Sequence, residues 1–98
     1  MLLNEHETDQ GLLVTVCDAD IVGDTFENGD VSLTVNEAFY AEEADQADET
    51  TVVDALSRAN IANIVGARAV EIAVEHGIID ETTVLDLGET QHAQLLRF

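Results

Sequence analysis

The segment Leu12-Leu13-Val14-Thr15-Val16-Cys17 limits the fold of this chain more than any other. It is rich in β-branched residues, follows Gly11 and runs into an Asp-rich turn, which together favour a strand. Neither of its alternating faces is polar, so such a strand has to be covered on both sides. A chain of 98 residues has material for one core, because at this length folding buries only roughly 60–70% of the unfolded surface. One domain, residues 1–98, is therefore expected.

The flanking sequence supplies further elements. Asp18 to Val22 leads to Gly23, and Asn28-Gly29 is the residue pair best suited to a tight turn with positive φ, so a hairpin is expected there. Its return arm, Val31-Ser32-Leu33-Thr34-Val35, alternates an apolar face with a hydroxyl face. Glu42 to Glu49 is acidic, with no apolar residue beyond alanine, and reads as an exposed loop. Thr51-Val52-Val53-Asp54 matches a capping box, after which Val52, Leu56 and Ala59 recur at helical spacing and Arg58 sits near the helix end. This predicts a two-turn helix. A longer, central helix is predicted from about Ile61 to His76, with Asn60 as its cap and Gly77 as its left-handed stop. Gly66 inside that helix costs about 1 kcal/mol relative to alanine and implies close approach of another backbone. Val84 to Leu87 and Ala93 to Phe98 read as two short final strands that can pair. The expected class is α+β, with short antiparallel strands packed on a central helix and a shorter second helix, rather than alternating βαβ units.

The charge balance separates interior from surface. Twenty-one Asp and Glu residues oppose three arginines, giving −18 with no lysine. At about 1 M salt the Debye length is roughly 3 Å, so self-repulsion on this scale is largely screened. Acids scattered from Glu5 to Glu89 fit adaptation to a salty cell interior better than an acidic tail or a nucleic-acid mimic, either of which would gather them in one block. Cys17 is the single cysteine, so neither an internal disulfide nor a cysteine-based zinc cage can form in one chain. A reducing compartment, the cytoplasm, is expected. No segment approaches the roughly 20 apolar residues that cross a bilayer.

Several chemistries fail on spacing. Asp18, Asp20, Gly23 and Asp24 begin like a calcium loop, but Val22 and Gly29 stand where two ligands belong. His6, His76 and His92 make no pair at helical spacing, so no metal site is expected. His76 at a predicted helix end suits a donor near free carbonyls. His92 lies in a short polar stretch after Gly88, where scaffold-held residues often carry function. Cys17 with His92 is a conceivable nucleophile and base, while a lone cysteine ending an apolar strand is more often a small buried hydrophobe. No phosphate-cradling glycine motif or hydrolase elbow occurs, and no cofactor is expected. No basic patch gives a DNA-binding signature. Phe26, Phe39, Tyr40 and Phe98, the only aromatics, are expected to fill core or cover apolar edges.

Leu13 to Asp18 with Gly23, Phe39-Tyr40, Ala59-Asn60-Ile61-Ala62-Asn63-Ile64-Val65-Gly66, Ala69-Val70, and Gly88 with His92-Ala93-Gln94 carry a resemblance over nearly the whole length. In these residues the chain resembles the archaeal domain-of-unknown-function family 424, in its haloarchaeal form. The resemblance implies a compact α+β protein linked to translation or RNA handling, with ribosomal or RNA-associated protein partners. Gln91 stands where relatives usually place a proline. Ala67 stands where an acid is common, which leaves Arg68 without an obvious neighbouring partner. Asn63, Arg68, His92 and Gln94 are the candidate binding residues. They fit a non-catalytic interaction module. The alternatives are a small enzyme using Cys17 or His92 with Arg68 on an anionic substrate, and a structural subunit or homodimer.

Overall fold

The computed structural model describes residues 1–40 and 44–97. The expectations for Phe98, for the Phe39 side chain and for the first part of the acidic stretch lie outside the described residues. In chain order the elements are β1 (Leu2–Thr8), β2 (Gly11–Cys17), β3 (Thr25–Asn28), β4 (Val31–Thr34), α1 (Glu37–Tyr40), β5 (Asp45–Gln46), α2 (Glu49–Arg58), β6 (Ile61–Val65), α3 (Ala67–Glu75), β7 (Leu85–Asp86) and β8 (Gln91–Leu96). Six strands form one sheet in the order β5-β1-β2-β6-β8-β7, and β3 and β4 form a separate hairpin. The class is α+β, as the sequence implies, but β2 and β6 run parallel within an otherwise antiparallel sheet.

β2 occupies the interior of the sheet, with Val14, Val16 and Cys17 fully buried, but Leu12 and Leu13 are only half-buried, so the expected cover on both faces is complete only toward the Cys17 end. β1 pairs with it along the whole length. That strand escapes the hydrophobic pattern because Asn4, Glu5, His6 and Glu7 are polar on both faces. Asn28 and Gly29 make the expected hairpin turn, with Gly29 at φ 63°. Val35 meets the core, whereas Val31 is 41% exposed, so the return arm is buried only at its far end. Within the acidic stretch, Asp45–Gln46 adds a short edge strand on Leu2 and Leu3.

The largest correction concerns residues 61 to 76. The predicted single helix is a strand, β6, followed by a sharp turn at Gly66 and the nine-residue α3. Ala62 and Ile64 alternate with Ile61, Asn63 and Val65, and over a run this short apolar content satisfies a strand and a helix equally. Gly66 settles the matter. Its φ of 117° is far from helical, and a Cβ there would overlap the Asp18 carboxylate. The predicted close approach to Gly66 is real, but a side chain makes it. Asn60 caps no helix; its Oδ1 accepts from the Leu12 N–H at 2.9 Å and ties the start of β6 to β2. Gly77, at φ 71°, follows the end of α3 as expected.

The α2 cap also differs. Asp48, not Thr51, caps it, its Oδ1 accepting from the Thr51 N–H at 2.9 Å. Arg97, not Arg58, meets the carbonyls at the far end, donating to Leu56, Ser57 and Ala59 at 3.2, 3.3 and 3.4 Å, where positive charge offsets the helix dipole. α2 and α3 are of similar length and cover one face of the sheet. Val52, Leu56, Ala69, Val70 and Ala73 pack there against Leu3, Val14, Val16, Ala62, Ile64 and Ala93.

Candidate interaction surface

Paired residues in neighbouring strands share a face, and successive residues alternate between faces. The registers therefore place Leu3, Val16, Ile64 and Ala93 in one row under the helices. On the opposite face lie three rows. Leu2, Cys17, Val65, His92 and Leu85 form the first; Asn4, Thr15, Asn63 and Gln94 the second; His6, Leu13, Ile61 and Leu96 the third. The hairpin and α1 cover the first row at its centre, where Cys17 and Val65 pack with Phe26, Val35, Tyr40 and Leu87. Leu13, Ile61 and Leu96 belong to neither core cluster, and Leu96 is 66% exposed.

Among the described residues, no strand of the six-stranded sheet carries an acid on this second face. Every Asp and Glu on the strands of the sheet (Glu5, Glu7, Asp45 and Asp86) falls in register on the helix-covered side. Glu5 shows the consequence, reaching Arg58 of α2 at 2.7 Å. Elsewhere the acids are dispersed. Five of the 21 (Glu71, Glu75, Glu81, Asp86 and Glu89) line a groove of about 550 Å³ between α3 and the β7–β8 end. A partly exposed surface of amides, two imidazoles (His6 and His92) and aliphatic side chains thus stands apart on a chain of net charge −18.

Three of the four candidate binding residues meet on this face. Asn63 and Gln94 lie directly opposite each other, and the Gln94 side-chain amide donates to Asn63 Oδ1 at 2.9 Å. That bond fixes both amides and leaves the Asn63 side-chain N–H donors and the Gln94 side-chain carbonyl without a partner among the described residues. His92 follows on the same face of β8, half-buried, and burial pushes its imidazolium below the usual histidine range. Arg68 does not join them. It sits in the first turn of α3, beyond the other face, where its guanidinium bonds Glu49 at 2.9 Å and Glu71 at 3.2 Å. The expectation that it lacks a partner is thereby corrected. His76 also reaches Glu49, at 3.1 Å, rather than free carbonyls.

The family described as Protein of unknown function (DUF424) matches residues 5–98. The chain belongs to the DUF424 family. Among solved structures it is similar to one described as the crystal structure of an uncharacterized conserved protein from Methanopyrus kandleri. The identity is 25% and the TM-score 0.73, over 99% of this chain and 93% of that one. No curated protein matches.

In this DUF424 chain the proposed nucleophile is sealed. Cys17 has no exposed surface, its thiol donates to the Asp18 carbonyl at 3.1 Å, and burial followed by the nearby Asp18 and Asp20 charges pushes it up to about 12. Cys17 and His92 share a row but are separated by β6, a spacing of about 10 Å that no direct proton transfer spans. Asp18 has a structural duty that the calcium-loop comparison did not suggest. Its two carboxylate oxygens each accept one amide at the start of α3, from Arg68 and Ala69, both at 3.0 Å. The place where an external anion would meet that helix end is thus filled by the chain itself. No group of three or more His, Cys, Asp or Glu side chains suited to a metal ion occurs among the described residues.

The residues that sequence reading missed are Leu13, Ile61, Leu85 and Leu96. Each passes for ordinary core in a linear pattern. Only strand register shows that they surround the amide pair instead of packing beneath the helices.

Proposed function

We propose that this protein is a non-catalytic interaction module whose working surface is the open part of the second sheet face. Asn63, Gln94 and His92 form its polar centre, with Leu13, Ile61 and Leu96 beside them. The observation that carries this reading is the confinement of all acids on the strands of the six-stranded sheet to the other face. A surface selected only for solubility would share in the charge. Patches depleted of charge and supplied with aliphatic groups are what protein partners bury.

A protein fits this face better than a nucleic acid. No cation lies on it to meet phosphate, and Arg58, Arg68 and Arg97 are each bonded to carboxylates or carbonyls elsewhere. No Phe, Tyr or Trp lies on the strands of the six-stranded sheet, so only the His6 and His92 rings could stack on bases there. Ribosomal or RNA-associated proteins, which are commonly basic, would meet acids at the margin and neutral groups at the centre. The dispersed surplus of acids supports a working environment of molar salt, and with it a haloarchaeal cytoplasm. Purification from native cells at molar KCl, followed by identification of bound proteins and RNA, tests the assignment. Ribosomal or RNA-associated proteins should accompany the wild type and be lost from Ile61→Glu. A protein that elutes alone, or one whose partners persist with Ile61→Glu, would refute it.

A further inference from the structure

The phase of the hydrogen bonding along β8 shows which of its backbone groups face outward. Gly66 N–H donates to the Gln91 carbonyl at 2.9 Å and Arg97 N–H to the Asn60 carbonyl at 2.7 Å. Odd-numbered residues of β8 therefore turn their backbone groups toward β6, and His92, Gln94 and Leu96 turn theirs away. β7 takes up His92 through its pairing with Leu85 and extends no further. Among the described residues nothing pairs with the outward N–H and C=O groups of Gln94 and Leu96.

Exposed edges invite another strand, and soluble proteins blunt them with charge, proline or bulges. This edge carries none of these. Gln91, His92, Ala93, Gln94, Leu95 and Leu96 include no formal charge in a chain with 21 acids. At the other margin of the sheet, β1 beyond its short pairing with β5 carries Glu5 and Glu7. Beside the β8 edge, Thr83, Leu85, His92, Gln94 and Leu96 line a shallow groove of about 420 Å³. Among the described residues, Leu85 and Leu96 are two of the three large apolar residues that stand exposed, at 42% and 66%.

We propose that this edge of β8 pairs with the same edge of a second copy of this chain, joining two sheets into one. The spacing of the free groups is self-complementary. A two-fold axis through Leu95, perpendicular to the sheet, sets Gln94 of each copy against Leu96 of the other. Every outward N–H and C=O at those positions then finds a partner. The axis keeps the Asn63–Gln94 faces of both copies on one side and the helices on the other, so the acid-free surface becomes continuous across the junction. Charge selects the second copy over a foreign basic strand. A basic strand would find no acid along this edge, whereas two chains of −18 need a contact free of opposed carboxylates, and β8 provides one. The ladder is short, which makes this a reversible dimer rather than an obligate one.

Sedimentation equilibrium of the full chain in molar KCl, from micromolar to millimolar protein, reads the association directly. The mass should rise with concentration from 10.6 kDa toward twice that value. Leu96→Glu, which opposes like charges near the axis, and Gln94→Pro, which removes an outward N–H used by no internal bond, should each weaken dimerisation at least tenfold. Amide exchange gives a second measurement that needs no variant: Gln94 and Leu96 should gain protection as wild-type concentration rises. A 10.6 kDa species throughout that range, or a dimer constant unmoved in both variants, overturns the proposal. Because the isolated chain is used, the result is separate from the fate of the partner-binding assignment.

Discussion

Replacing Asp18 with alanine removes both carboxylate acceptors from the first turn of α3 at once. The amides of Arg68 and Ala69 each donate to one of its oxygens at 3.0 Å, and Gly66 at the cap position has no side chain to replace them. Loss of an N-cap side chain costs about 0.5–2 kcal/mol, and bonds to a charged acceptor lie at the upper end, so about 2 kcal/mol is expected. A chain of 98 residues has a total stability of about 5–15 kcal/mol, and the substitution would consume a sizeable share of it. At about 4–8 °C per kcal/mol for a domain of this size, the melting temperature should fall by about 8–16 °C. Asp18→Asn keeps one good acceptor and should lose about half as much. Thermal unfolding followed by circular dichroism in molar KCl measures both. If Asp18→Ala melted within about 2 °C of the wild type, well inside the range expected for a cap, the carboxylate would not be fastening α3 to the end of β2.

Other consequences follow from burial and charge. His92 titrates below its unfolded value of 6.5 because burial opposes its charged form, so the unfolded chain binds more protons below that pH. Stability should be fully present above about 6.5 and decline as acid is added, and His92→Gln should flatten that decline in pH-dependent unfolding curves. Cys17 works in the opposite sense: its stabilising contribution is complete below its unfolded value of 9.0 and is lost as pH climbs from there toward about 12. In the folded protein at neutral pH, a thiol reagent should label Cys17 only at the rate of global unfolding, and fast labelling would contradict a sealed thiol. Transfer from molar KCl to dilute buffer should lower the melting temperature as repulsion within the −18 chain is restored. Equal melting in the two solvents would leave the acid surplus without a role in salt adaptation.

The linear sequence by itself determined the elements whose signals are local. Leu12 to Cys17 had to be an interior strand because both of its faces are apolar. Asn28-Gly29 had to turn and Gly77 had to end a helix, since positive φ is cheap only for such residues. Sequence also brought forward Asn63, His92 and Gln94, though through family resemblance and not through contact. Tertiary structure decided the remainder. Residues 61 to 76 carry an apolar pattern compatible with two periods, and the split at Gly66 follows from the Asp18 carboxylate, 48 positions earlier, occupying the space a Cβ would need. Leu2 to Thr8 became a strand because β2 offered it a full ladder of backbone partners, a gain that no side-chain pattern records. The same registers carried every acid of the six-stranded sheet to the helix side and left the amides, His92 and Leu96 together on the other. Which face a residue occupies depends on the strand beside it, and pairing across the sheet is fixed only when distant segments meet.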